Sequence, residues 1–381
     1  MPETMRFHYM DNLRALAMLS GVVFHAALAY SPLMHPFFPA ADRSQSPLVD
    51  AGIWFLHLFR MPLFFVVAGF FTALLIQRRG MGGMLRNRLR RIGLPLLVFC
   101  PLVIAAMAWA TMHAVATVQH PSPLLAMIGQ FARMENPPSA PLSLGHLWFL
   151  YYLLFFYVLT WVAHSLLPAR LGAFLRGLHP LCWVLALPVL LMPALASVSA
   201  PQPAPESPLP QFWAFGFHGP FFVFGYLLFG HENLLDRLRR FVPWLLSASV
   251  VLYGVFLWLL PQQTLTAADP SATWLIALIE ACVGTWMTLV CLVAGKALLD
   301  RGNRCMRWLS DASYWVYIVH FPVLLFLQYQ LMDSTMGWAM KFAIVLVATS
   351  AVCLGSYQLL VRRTWIGRLL GVRRMVAVPA G

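Results

Sequence analysis

Charged residues are scarce. They make up 10% of the 381 residues, against about 25% in an ordinary soluble domain, while apolar residues reach 60%. A water-facing exterior needs more polar surface than that, so the composition excludes the soluble domains that length alone suggests and points to a surface that faces lipid. Acidic residues are scarcer still, 13 Asp and Glu against 26 Lys and Arg, giving a net charge of +13. On a membrane chain that excess marks cytoplasmic loops and contact with the lipid bilayer, so no nucleic acid partner is expected. The six cysteines lie mostly inside apolar runs and none forms a CxxC pair. Neither a disulfide framework nor a metal site is indicated. A charged n-region with a cleavage site is also missing, so the first apolar run is expected to be an uncleaved span. No internal repeat of the kind many transporters carry is visible. Nor is there a serine-histidine-acid triad, a Walker loop or an HExxH motif.

What is present is a succession of long apolar runs. A crossing takes about 20 such residues, and the expected spans are 11–31, 52–76, 92–113, 146–167, 178–199, 211–230, 242–260, 273–298, 308–331 and 338–361. Proline and glycine clusters punctuate the gaps, as in Pro137-Pro138, Pro201 to Pro205 and Pro261 to Pro270. The fold class read from this is all-α: one polytopic membrane domain, residues 1–381, of about ten transmembrane helices. Twenty of the 26 Lys and Arg fall in the N-terminal tail and in segments 77–91, 168–178, 231–241, 299–307 and 362–381. The alternate loops hold only Arg43 and Arg133. This alternation places both termini in the cytoplasm by the positive-inside rule, and the expected location is a bacterial inner membrane.

Ionisable groups inside a bilayer are expensive, so each is a candidate for function. The first span holds Asp11, Arg14 and His25. Arg14 and His25 are eleven residues apart, about three turns, so they share a face at roughly 16 Å separation along the axis. Arg14 snorkelling to the headgroups and pairing with Asp11 is the structural alternative. The second span carries His57 and Arg60, and a guanidinium at that depth is either an anchor or a fork for a carboxylate or polarised carbonyl. The segment Gln77 to Arg91 packs six arginines into 15 residues, as topology or phosphate recognition would require. His146 and Trp148 open the fourth span, and Glu135 precedes them in the outer loop. On the ninth, Ser310, Ser313 or Tyr314, Tyr317 and His320 recur at helical spacing as a polar stripe that must face a cavity or another helix. Glu280, His218 and Lys341 are further isolated polar groups. The chemistry these residues could support is a histidine general base in a buried cavity.

Several of these residues fall in motifs that resemble the membrane-bound acyltransferase-3 family. The matching residues are the Arg14-x10-His25 pair, Arg60-Met-Pro-Leu-Phe-Phe through Gly69-Phe70, Arg90-Arg91-Ile-Gly-Leu-Pro95, His146-Leu-Trp-Phe-Leu150 and Ser313-Tyr-Trp-Val-Tyr-Ile-Val-His320. Within the family the likeness is greatest to members that succinylate osmoregulated periplasmic glucan, through Asp11-Asn-Leu-Arg-Ala15 and Tyr317-Ile-Val-His320. Val67-Ala68-Gly69 departs from the usual serine before the glycine. The resemblance implies acyl transfer from cytoplasmic acyl-coenzyme A, succinyl-coenzyme A above all, to a carbohydrate hydroxyl on the far side. The acyl-CoA would be a co-substrate, with no tightly bound cofactor and no metal. It implies Arg14, Arg88, Arg90 and Arg91 for the nucleotide, and His25, with Arg14 and Arg60, for catalysis. His57, His146, Trp148, Tyr314, Tyr317 and His320 would line the cavity and meet the acceptor. Acetyl or another acyl group and a different polysaccharide or glycolipid stay open, and a transporter of a glucan or small acid is the rival class.

Overall fold

The computed structural model describes residues 7–139, 141–265 and 270–370. Arg6, Arg373 and Arg374, counted above in the basic tails, lie outside the described residues, as do residues 266–269 of the gap before the eighth expected span. No strand occurs among the described residues. In chain order the helices are α1 His8–Leu28, α2 Pro47–Arg88, α3 Leu94–Thr117, α4 Pro123–Phe131, α5 Trp148–Leu166, α6 Ala169–Gly177 and α7 Pro180–Ala196. Then follow α8 Phe212–Leu228, α9 Asn233–Leu238, α10 Val242–Leu265, α11 Pro270–Leu298, α12 Arg304–Leu331, α13 Trp338–Ser356 and α14 Trp365–Leu370.

A helix overlies each of the ten expected spans. Six stretches of the described residues are long and apolar enough to cross a membrane: Pro47–Thr117, Gly145–Leu166, Asn233–Leu260, Ala272–Leu298, Arg304–Leu331 and Trp338–Val361. A seventh is added if Arg170–Gly177 and Pro180–Ala196, bent by 108°, form one span. Helices α1 and α8 do not meet that test: α1 carries Asp11, Arg14 and two histidines, and α8 has 17 residues. What is established is therefore an all-helical bundle with several membrane-crossing helices.

The segment Gln77–Arg91, expected as a loop, is helical instead. At Gly80 the backbone turns with φ 68°, a left-handed conformation suited to glycine. The helix then resumes to Arg88 and passes through a π-helical turn at Leu89–Gly93 into α3. Met81, Met84, Leu85, Leu89 and Ile92 recur at helical spacing, and Met84 and Ile92 are buried. Met84 and Ile92 hold the segment to the bundle, while Leu89 and every arginine of the segment but Arg88 are exposed.

Helix α11 is buried along most of its length and forms the centre of the bundle. It packs against α7, α10 and α2, while α1 packs against α12 and α2 against α8. The peripheral helices keep apolar residues on their outer faces: Leu97, Leu102 and Trp109 on α3 and Val250, Val251 and Trp258 on α10 are exposed, as suits hydrocarbon surroundings. The α2–α8 crossing rests on Gly69 and Gly225. A Cβ on either would collide with the other helix, at the Phe222 and Val66 carbonyls respectively, so backbones meet directly as small residues in membrane helices allow.

Intrahelical prolines have a second effect. Proline has no N–H and frees the carbonyl four residues back, which inside a bilayer must find another partner. Pro188 of α7 frees Val184, whose oxygen accepts from Trp286 Nε1 at 2.9 Å. Pro62 of α2 frees Leu58, against which Gly284 of α11 sits so closely that a Cβ would come within 2.9 Å of the oxygen. Pro322 of α12 frees Ile318, whose oxygen lies 3.3 Å from His146 Nε2.

Lys341 of α13 is not isolated. Its Nζ lies 2.7 Å from Asp42 Oδ2 in the α1–α2 connection, with the side chains 1% and 3% exposed. Removing one partner strands the other charge in the interior. Asp42→Ala is expected to cost about 3–5 kcal/mol, read as a lower melting temperature in detergent, and Asp42→Leu combined with Lys341→Met is expected to recover most of that loss.

Candidate active site

Polar side chains from five elements meet at one cavity with about 760 Å³ of free space, counting its open mouth. Helix α1 contributes His25, α2 contributes His57 and Arg60, the turn before α5 contributes His146, α8 contributes His218, and α12 contributes Tyr317 and His320. The walls are aromatic, with Phe24, Phe64, Trp148 and Phe149.

Arg60 is 6% exposed. Its guanidinium carbon stands 4.4 Å from the centre of the Phe24 ring, a cation–π contact that offsets part of its desolvation. Among the described residues no carboxylate pairs with it, and its Nε is buried without a hydrogen-bond partner. Gly21 on α1 makes room for this cation: a Cβ there would sit 3.1 Å from Arg60 Nη1. The charge is thus held by a π-face beside a cavity rather than neutralised, and it is available to an anionic or carbonyl oxygen.

Three of the five cavity histidines, His57, His146 and His320, are oriented by backbone carbonyls, which fixes which nitrogen donates. His320 Nδ1 donates to Tyr317 O at 2.9 Å and Val316 O at 3.1 Å. In the neutral ring Nε2 then holds the lone pair, and it is buried with no partner. His146 Nε2 donates to Tyr317 O at 2.9 Å, leaving Nδ1 unpaired. Tyr317 in turn donates its hydroxyl to the His146 carbonyl at 2.5 Å. The two residues clamp the start of α5 to α12, so Tyr317 acts as a brace as much as a cavity wall. His25 has an unpartnered Nδ1, and its ring centre lies 5.4 Å from that of His320. His146 and His320 are 5.0 Å apart by the same measure. The cavity therefore holds acceptor nitrogens beside a cation, an arrangement able to take a proton from a hydroxyl and steady a developing oxyanion.

The other expected residues separate from this group. Arg14 does not line the cavity; it pairs with Asp11 at 3.3 Å, donates to Ser310 at 2.7 Å and lies over Phe71. Tyr314 is likewise outside the cavity lining: the α12 stripe drifts round the helix, and its hydroxyl is buried without a partner. Arg88 stacks 5.1 Å from the Tyr157 ring centre, and Arg90 and Arg91 are exposed on the π-helical turn. Glu135 is exposed. His218, noted in the sequence only as an isolated polar group, lies in the cavity, stacked 4.4 Å from Phe65. Gln202, Pro203, Ala204 and Glu206 also line it. Glu206 stands at the mouth with Ser143 donating to it at 2.9 Å; the surrounding protein pushes its carboxyl above the usual range by desolvation, and the Ser143 bond works the other way. Apart from the Pro-x-Pro run, the sequence marks these four with no signal.

Gly21→Val is expected to push the Arg60 guanidinium off Phe24. An ångström-scale displacement of such a group costs about 10²-fold in turnover, so an acyl-transfer assay should fall by that order while the melting temperature changes little.

A family model described as an acyltransferase domain, the acyltransferase-3 model, matches residues 7–358. Among curated proteins, the chain is similar to glucans biosynthesis protein C of Salmonella schwarzengrund (strain CVM19633) and of Salmonella typhi. Each is 26% identical over 338 residues, covering 84% of this chain and 83% of the relative. The same protein of Salmonella paratyphi B is 25% identical over the same coverage. No solved structure matches the chain. With a family model spanning nearly the whole bundle and a cavity lined by His25, Arg60, His146 and His320, the chain belongs to the acyltransferase-3 family of membrane acyltransferases.

Proposed function

We propose that the protein transfers an acyl group, succinyl in preference to acetyl, from cytoplasmic acyl-coenzyme A to hydroxyls of a periplasmic glucan. The observation that carries this reading is the placement of Arg60, a buried cation with no carboxylate partner, in a cavity of histidines. A dicarboxylic acyl chain brings the carboxylate that such a guanidinium binds through a planar fork. The relatives' name, glucans biosynthesis protein C, supports the acceptor class.

In this reading the ten long helices all cross a bacterial inner membrane and both termini are cytoplasmic, in keeping with the alternation of basic segments. Arg88, Arg90 and Arg91, with Arg14, receive the phosphates of the donor at the inner face. His25 takes the proton of a glucosyl hydroxyl as its oxygen attacks the thioester carbon. The C–S bond breaks, the leaving thiolate takes up the proton, and a succinyl ester and free coenzyme A result. Arg60 holds the far carboxylate of the succinyl chain, and His320, oriented by two carbonyls, stands next to His25 as its partner. The acyl-CoA is a co-substrate, and the mechanism calls on no resident cofactor.

The test is turnover of purified protein in liposomes with succinyl-coenzyme A and glucan. His25→Ala should lower transfer by about 10²–10⁴-fold, the usual worth of a general base; wild-type turnover would remove His25 from that role. Arg60→Ala should abolish the preference for succinyl over acetyl donors. If it lowers both equally, Arg60 serves the oxyanion rather than the acyl carboxylate.

A further inference from the structure

The segment between α7 and α8 is a strap along the cavity, with Gln202 buried and Pro203, Ala204 and Glu206 exposed. Its residues Gln202, Pro203, Ala204 and Glu206 line the cavity. Proline alternates with other residues at 201, 203 and 205, which fixes φ and removes N–H groups, so the strap is stiff and poor in donors. Between Pro201 and Pro203 there is one backbone N–H, that of Gln202, and it is donated to the buried Glu280 Oε1 of α11 at 3.1 Å. The carbonyl of the same residue accepts from His57 Nε2 of α2 at 2.8 Å. One peptide position of a loop is thus gripped from both sides by membrane helices. Further along, Leu144 N–H donates to the Glu206 carbonyl at 2.8 Å, and Tyr151 donates to the Pro208 carbonyl at 2.6 Å.

This arrangement explains two charged or polar groups that the proposed chemistry does not use. Glu280 is 2% exposed and forms no ion pair among the described residues; its carboxylate serves the strap. His57 is turned by its donation to the strap, which spends its Nε2 proton there.

The strap offers two polar side chains to the cavity. Gln202, 4% exposed, has an amide oxygen buried with no partner. Glu206 has a carboxylate on which Ser143 engages one oxygen. Both can accept and the Gln202 amide can also donate, so together they suit a ligand of hydroxyls, which give and take hydrogen bonds, with no negative charge beside Glu206. Trp148, 7% exposed, supplies an aromatic wall to the same cavity. Hydroxyl donors with an apolar ring face describe a neutral sugar.

We propose that residues 201–206 form the acceptor wall of the site and its cover. Gln202 and Glu206 receive hydroxyls of a glucosyl unit lying near Trp148. His57 and Glu280 are positioning residues that hold the strap shut and keep water from the acyl donor. The assignment of the wall rests on the acyl-transfer reading above, since it names the acceptor of that reaction; the anchoring does not.

Two sets of measurements test it. The first is hydrogen–deuterium exchange of the strap peptide in the full-length protein in nanodiscs. Glu280→Ala should raise exchange at the Gln202 amide by about tenfold or more, since a lost anchor allows local opening, and Glu280→Gln, which keeps an acceptor oxygen, should restore protection. Unchanged exchange in Glu280→Ala overturns the anchoring. The second is kinetic and needs the wild-type enzyme to turn over. Glu280→Ala should raise the acceptor KM about tenfold, well beyond any change in the donor KM, and raise the share of acyl-coenzyme A lost to hydrolysis. Gln202→Ala and Glu206→Ala should raise the acceptor KM without faster exchange. An acceptor KM unmoved in both overturns the wall. Should wild-type protein transfer no acyl group at all, calorimetric binding of a gluco-oligosaccharide still tests the wall: binding by wild type that Gln202→Ala weakens supports it, and no binding overturns it.

Discussion

A guanidinium buried in a helical membrane bundle without a carboxylate is the constraint around which the site is arranged. Placing a cation at such depth is costly, and Arg60 meets that cost with the Phe24 ring and with the space that Gly21 leaves on α1. Three of the histidines around it, His57, His146 and His320, are aligned by backbone carbonyls rather than by acids. A carboxylate within reach of Arg60 would neutralise it and end its availability. Among the described residues none pairs with it: Asp42 engages Lys341, Asp50 engages Trp54 and Ser31, Glu280 engages the strap, and Glu206, which shares the cavity, accepts from Ser143.

Intrahelical prolines meet the cavity at one point. In a bilayer a freed carbonyl must be satisfied by another part of the protein: the one at Val184 accepts from Trp286, and the one at Ile318 lies 3.3 Å from His146 Nε2. The second is functional in its consequence, since the carbonyl that Pro322 frees on α12 becomes an acceptor for a cavity histidine. Backbone satisfaction and side-chain orientation are there one feature of the fold, and the glycines of the α2–α8 crossing let those two helices meet backbone to backbone.

Much of the fold was legible in the sequence because the bilayer simplifies it. Long apolar runs and their punctuation locate the helices, and His25, Arg60, His146 and His320 stand out because ionisable groups are rare in such runs. Three things were not legible. The segment Gln77–Arg91 reads as a charged loop because its six arginines mask the apolar face formed by Met81, Met84 and Leu85. Tyr314 sits in the α12 stripe by spacing, yet the stripe winds round the helix and only its Tyr317–His320 end reaches the cavity. The strap is not legible because its anchoring uses the backbone of Gln202, and a main-chain hydrogen bond to His57 or Glu280 leaves no trace in residue type. Lys341 shows the reverse case: a conspicuous intramembrane charge whose partner, Asp42, lies in a connection and whose role is structural.

The claim on which the rest turns is that one cavity holds both the acyl carbon and the groups that act on it. A structure of the protein in nanodiscs with a non-hydrolysable thioether analogue of succinyl-coenzyme A tests it most directly. The account predicts the succinyl carboxylate on the Arg60 guanidinium, the analogue's carbonyl within reach of His25, and the nucleotide at the face that bears Arg88, Arg90 and Arg91. An analogue bound with its acyl end away from Arg60 and His25 would contradict it.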